Sequence, residues 1–365
     1  MKKTFLAIAL AAVAFVGCQK EEKGMVSINL SGETYVPVKN DKEAYYNNSN
    51  SVFFSEGDAV YLNGGLCPVT ILRDDTRHVA RDVNDEVYAS LRANLSVMAE
   101  YMHAPAISLY PASIFTPGAP FDGTSTDISD WTVTMKNRQS LINSNQTNNV
   151  VDELTNGGVT DKPAWPMLAQ TPSLNNHVQL NNCVALLTPG ITYGVDFVDG
   201  LVSANNLNET VDGENLPVLK VDSLVLSSTT NILAGQGHID LNAVQNGYPV
   251  LVMDETADAS YRVVCKAVDW YNADGYEFSA PTMDLVRFGH VPIAPYVDGG
   301  DLKVVLYFTL TFTDENANEH VYYCKYDGDI ISNIPIVRSQ RTTLYFNMWD
   351  EANVSKVTVS TTPLN

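Results

Sequence analysis

Apolar and polar residues alternate with a period of two along most of this chain, and sustained helical periodicity is scarce. Met25-Val26-Ser27-Ile28-Asn29-Leu30 and Trp131-Thr132-Val133-Thr134-Met135 show the alternation most clearly. Val178-Gln179-Leu180 continues it into the apolar run 183–187, and further strands are expected over residues 216–226, 250–253, 261–268, 302–312, 321–326, 344–348 and 354–360. β-branched and aromatic side chains fill these stretches, and Gly, Asn and Asp punctuate the gaps. The polar run 313–319 joins two of them and reads as a hairpin connection. One helix is expected, over residues 85–100, where Val87, Leu91 and Leu95 recur at i, i+4 spacing. Residues 139–161, rich in Asn, Ser, Thr and Gly, read as a long surface loop. The expected class is all-β, with two tandem β-sandwich domains over residues 26–175 and 176–365. No repeat of 20 to 50 residues argues for a propeller or solenoid.

The first residues belong to targeting rather than to the fold. Lys2 and Lys3 precede the apolar run 5–15, which falls short of the ~20 residues that span a bilayer. Residues 1–17 therefore read as a secretory signal peptide. It ends in Phe15-Val16-Gly17-Cys18, which resembles the lipobox of bacterial lipoproteins. That resemblance makes Cys18 the lipid attachment site and residues 18–25 a tether, held to the outer membrane by acyl chains. Gln19-Lys20-Glu21-Glu22 resembles the export signal of surface lipoproteins in the Bacteroidota, which implies a surface-exposed location.

The chain has 365 residues, 45% of them hydrophobic, so a substantial core is available. Its formal net charge of -20 repels phosphate backbones and argues against a nucleic-acid partner. Beyond Cys18 there are four cysteines, Cys67, Cys183, Cys265 and Cys324, with no C-x-x-C spacing that would suit zinc. They read as small buried apolar side chains, or as disulfide partners after export. The candidate disulfide is Cys265–Cys324, since both lie in strand-like stretches of the same half. Six scattered histidines have no metal-ligand spacing, and neither a nucleophile elbow nor a phosphate-binding loop occurs. The expectation is no catalysis, no metal and no cofactor. Asp314, Glu315, Glu319 and His320 crowd one turn, which reads as a solvated turn with a calcium site as the sharper alternative. Val321-Tyr322-Tyr323 and Asp269-Trp270-Tyr271 are candidate aromatic platforms for sugar rings.

Phe54-Ser55-Glu56-Gly57-Asp58-Ala59-Val60-Tyr61 resembles the F-x-x-G-D strand-opening motif of the fimbrillin family. Tyr110-Pro111-Ala112-Ser113, Trp165-Pro166-Met167-Leu168-Ala169, Leu226-Ser227-Ser228, Leu233-Ala234-Gly235, Ile293-Ala294-Pro295 and Thr342-Thr343-Leu344-Tyr345-Phe346 follow in the order of that family's remaining motifs. The resemblance implies two transthyretin-like β-sandwiches and a structural or adhesive subunit of a surface fimbrium. Its partners would be other fimbrial subunits, the outer membrane through the lipid, and a host protein or glycan as ligand. It also implies assembly by β-strand addition. In stalk subunits a trypsin-like protease first removes the N-terminal strand, cutting after arginine. Here no arginine occurs before Arg73, and Lys39 and Lys42, in the polar loop 38–50, are the candidate processing residues. An anchor, tip or accessory subunit therefore fits better than a stalk. Residues 354–360 either donate a strand or pair within their own sandwich. The alternative reading is a glycan-binding outer-membrane lipoprotein.

Overall fold

A computed structural model describes residues 24–37, 50–51, 54–55, 58–71, 76–82, 85–90, 92–118, 126–136, 138–142, 165–211, 216–255, 261–268, 276–278, 280–287 and 290–364. Cys18, Lys39, Lys42 and the Asp269-Trp270-Tyr271 platform lie outside these residues. The architecture is all-β, as the alternation requires.

Seven strands close on themselves as a barrel. In spatial order they are Met25–Gly32, His177–Asn182, Met167–Thr171, Ala106–Tyr110, Ala59–Leu62, Gly65–Ile71 and Arg92–Met98, which returns to the first. Alternate residues point inward, and Ile28, Leu30, Val60, Leu62, Leu95, Val97, Met167 and Leu180 form one apolar core. A small sheet of Phe54–Ser55, Thr76–Asp82 and Asp85–Ser90 lies beside it in the chain.

The second core is larger. It gathers residues from Gln340–Met348, Ala185–Tyr193, Val218–Ser228 and the long hairpin Tyr296–Thr313 and Glu319–Ile336. Strand Ala106–Tyr110 is buried at all five positions because it serves both cores. Ile107 and Leu109 face the larger core, while Ala106 and Tyr110 face the barrel. A strand covered on both faces needs a nearly continuous apolar run, and Ala-Ile-Ser-Leu-Tyr supplies one.

The pairing crosses the expected boundary at residue 175 in both directions. His177–Asn182 belongs to the barrel, parallel to the first strand. Thr34–Pro37 leaves the barrel and joins the second body, parallel to Gln340–Met348. Thr132–Met135 extends the hairpin of Gly235–Gln245 and Tyr248–Met253, and Arg138–Ile142 runs parallel to Arg262–Val268. The last pairing also replaces the start of the expected surface loop with a strand; residues 143–161 lie outside the described ones.

Residues 85–100 are not a helix. Asp85–Ser90 and Arg92–Met98 are strands, followed by a single turn at Ala99–Tyr101. Ala93, Leu95 and Val97 are all buried, a period of two that outweighs the i, i+4 match. Among the described residues an α-helix lies instead at Val195–Asn205, where Phe197, Val198, Leu201 and Val202 are buried on one face. Asp196 sits in its first turn, where the helix dipole favours an anion. Asn206 ends it in the left-handed conformation, its N–H returning to the Ser203 and Val202 carbonyls. The terminal strand Val357–Ser360 pairs antiparallel with the long hairpin of its own chain.

Cys265 and Cys324 do not form the candidate disulfide; both thiols are free and buried. The two strands that carry them are separated in the sheet by Val218–Ser228 and Tyr296–Thr313. Three inter-strand steps of about 4.8 Å each keep the residues far beyond the ~7 Å Cα limit of a disulfide. They act as small core side chains, the other reading that the sequence allowed.

Candidate functional site: the seat of the first strand

The first strand, Met25–Gly32, is paired along nearly its whole length on one edge and over its last four residues on the other. On one side it pairs antiparallel with Arg92–Met98, setting Ile28 opposite Leu95 and Leu30 opposite Ala93. On the other it pairs parallel with His177–Asn182, setting Leu30 opposite Val178 and Gly32 opposite Leu180. Ile28 and Leu30 are each 1% exposed, whereas Ser27 and Asn29 face water. Each buried apolar side chain contributes roughly 1.5–3 kcal/mol relative to exposure. The strand is therefore a structural member of the barrel, and without it a slot would remain between two strands with unpaired backbone groups.

A polar clasp ties the segment that follows to the second body. Arg338 is only 2% exposed, yet four of its side-chain donor bonds are made. Its guanidinium grips Glu33 through both terminal nitrogens, Nη1 to Oε2 and Nη2 to Oε1, the latter at 3.0 Å. Nη1 also donates to the Asn182 carbonyl at 2.8 Å, and Nε to the Gln245 carbonyl at 3.1 Å. The Tyr248 ring lies 4.8 Å from the guanidinium carbon. Gln245 and Tyr248 flank the two-residue turn Asn246-Gly247, whose φ values of 51° and 82° are those a tight hairpin demands. Bidentate geometry makes Arg the fitting cation here, since an ammonium would lack the fork.

Asn182 and Ser339 complete the clasp. The Asn182 N–H donates to Glu33 Oε2 at 2.9 Å, and its Nδ2 donates to the Ser339 hydroxyl at 2.9 Å. That hydroxyl donates to the Thr34 carbonyl at 3.1 Å. One position beyond Thr34, Tyr35 is fully buried and meets Trp165 edge-on at 6.2 Å. Burial pushes its phenol well above the usual tyrosine range, with Cys183 and Glu33 adding to the rise. The segment 25–37 thus fills the barrel with its first half and the second body with its last.

Among the described residues no group of three or more His, Cys, Asp or Glu side chains is placed to hold a metal. The acidic turn 314–318 is closed on itself: Asp314 accepts from the Asn316 and Asn318 backbone N–H groups and from Asn318 Nδ2, each at 2.8 Å. His320 turns away to Glu209, 2.8 Å from it, and Tyr322 donates to the same carboxylate at 2.7 Å. Trp131 and Trp165 pack against the larger core, edge-on to Tyr61 and Tyr35. Tyr323 lines a shallow trough of about 790 Å³ on the outer face of the long hairpin's sheet, together with Tyr307, Lys220, Thr309 and Glu319.

Sequence reasoning found the first strand but missed the clasp, because Glu33 and Arg338 lie 305 residues apart and carry no local signal. The hairpin dipeptide Asn246-Gly247 was the one readable trace of it.

Fold and site together define an all-β protein whose N-terminal segment is shared between two bodies. No known family profile matches the chain, and neither does any curated protein. Solved structures from Bacteroides and Parabacteroides species do align with it over most of its length. A candidate cell adhesion protein from Bacteroides ovatus is 10% identical, with 93% of this chain and 96% of that one covered, at a TM-score of 0.36. One from Bacteroides fragilis is 8% identical, covering 91% and 96%, at 0.31. A fimbrial assembly protein from Parabacteroides distasonis is 11% identical, covering 85% and 99%, at 0.18.

Proposed function

We propose that this chain is a surface lipoprotein of the fimbrillin type, a non-catalytic structural or adhesive subunit anchored through Cys18 and assembled by β-strand addition. The lipobox, the charged tether and the ordered motifs support the location and the class. The observation that carries the assembly mode is the seat of the first strand. It is a short N-terminal strand with two buried anchors, Ile28 and Leu30, and a protease-length polar stretch follows it at residues 38–49. Cutting that stretch, at Lys39 or Lys42, would let another subunit's strand take its place and supply the same main-chain hydrogen bonds. The absence of arginine from residues 18–72 favours an anchor, tip or accessory position over a stalk. Treatment of the purified protein with a trypsin-like protease tests the proposal. Loss of the N-terminal strand followed by a ladder on non-denaturing gels supports assembly; a trimmed or intact monomer excludes the polymerising version.

The second reading, capture of a glycan, is favoured by the trough. Tyr307 and Tyr323 stand on the same face of adjacent strands, with Lys220 and Glu319 beside them. Aromatic faces with polar neighbours suit sugar rings. Binding on a polysaccharide array that disappears in Tyr323→Ala supports this reading, and a blank array removes it.

A further inference from the structure

We propose that Arg338 reads the strand seated in the barrel, holding only a strand that carries a carboxylate three residues after its second buried apolar position. This inference rests on the strand-addition reading and adds a selectivity to it.

The reasoning starts from burial. Arg338 is 2% exposed and sits between the hairpin tip at Gln245 and Tyr248, the Asn182 backbone and Glu33. Of these, only Glu33 supplies a negative charge. Asn182, Gln245 and Arg338 itself lie on strands or turns of the folded body, whereas Glu33 lies on the segment that a cut within residues 38–49 would free. If that segment left, the guanidinium would lose its counter-charge while its other partners held it in place. A buried charge stripped of its partner is strongly unfavourable. The main chain of an incoming strand can restore the ladder, and two apolar side chains can refill the positions of Ile28 and Leu30. Neither supplies the carboxylate.

The geometry also sets the pattern and direction of the strand. Ile28 and Leu30 fill the barrel, Glu33 meets the guanidinium fork, and Tyr35 enters the second core. A matching strand therefore reads apolar-x-apolar-x-x-acidic-x-aromatic and runs antiparallel to Arg92–Met98. A strand laid in the opposite direction would put its acid at the far end of the slot. The site consequently favours retention of the chain's own segment after cutting, and admits in its place a strand of the same pattern.

The test uses the purified chain with a site-specific protease sequence inserted within residues 38–49. After cutting, the release rate of the N-terminal segment is followed by native mass spectrometry. Glu33→Gln, which keeps shape and removes charge, is expected to release its segment at least tenfold faster than the parent. A second arm uses the cut parent chain alone. Equimolar peptides spanning residues 24–37, one with Glu33 and one with Gln at that position, compete for uptake, and the Glu33 peptide is expected to win by at least tenfold. Equal release and equal uptake overturn the inference. Uptake of both peptides without preference leaves strand addition standing and removes the selectivity. Uptake of neither, with faster release from Glu33→Gln, upholds the clasp and counts against strand addition.

Discussion

The phenol of Tyr110 donates a hydrogen bond to the Asp58 carboxylate at 2.6 Å, joining two residues 52 positions apart. Each belongs to a sequence motif that carried the fimbrillin resemblance, and a third motif residue, Met167, stands opposite Tyr110 in the next strand. Phe54, which opens the first of these motifs, meets the Tyr110 ring edge-on at 5.1 Å. These three motifs are therefore pieces of one packed corner of the barrel.

Removal of the Tyr110 hydroxyl leaves the buried ring in place and takes a donor from a carboxylate. Hydrogen bonds to charged groups contribute about 1.5–3 kcal/mol. Tyr110→Phe should destabilise the protein by that amount, read as a lower urea midpoint at unchanged slope.

The first strand should tolerate change on one face only. Leu30→Ala removes a buried side chain from the barrel core and should cost about 2–5 kcal/mol. Asn29→Ala, on the solvent face, should stay within about 0.5 kcal/mol. Paired denaturation curves of the two variants check this.

The core thiols should be inert and should weaken the fold in alkali. Burial pushes the Cys324 thiol up to about 12, with Asp222 adding to the rise. Burial likewise pushes up Cys183 and Cys265. In the unfolded chain these thiols ionise near their ordinary value of about 8.5. Below that pH both states are protonated and the fold keeps its full stability. Above it the unfolded state alone loses protons, so stability falls as pH rises toward 12, by about 1.4 kcal/mol per pH unit for each thiol. Thermal midpoints measured from pH 8 to 11 should decline, and iodoacetamide should label Cys183, Cys265 and Cys324 only after unfolding.

The hairpin that carries Gln245 should resist a methyl group at its base. A Cβ at Gly237 would lie 2.6 Å from the Val252 carbonyl oxygen in the paired strand. Backbone cannot yield as a side-chain tip can, so Gly237→Ala should cost about 1–3 kcal/mol. Differential scanning calorimetry of this variant measures the loss.

Much of the sheet inventory was readable because alternation is local. Val263, Leu224 and Leu306 announce their strands by facing inward at every second residue, whatever they pair with. The helix at Val195–Asn205 escaped notice because only 11 residues carry its period and Gly200 interrupts them. The expected helix over residues 85–100 failed because Val87, Leu91 and Leu95 fit two periods at once, and the buried series Ala93, Leu95, Val97 decided between them. The candidate disulfide failed because membership of one sheet says nothing about the order of strands within it.

The amino-acid sequence alone determined that this chain is all-β, that residues 25–30 alternate, and that Cys18 follows a run of apolar residues. Those properties depend on neighbours a few residues apart. Tertiary structure alone decided that residues 25–37 serve two bodies and that Glu33 meets Arg338. Parallel pairing and a buried ion pair join segments whose separation along the chain leaves no periodic trace, so only the folded backbone brings them within reach.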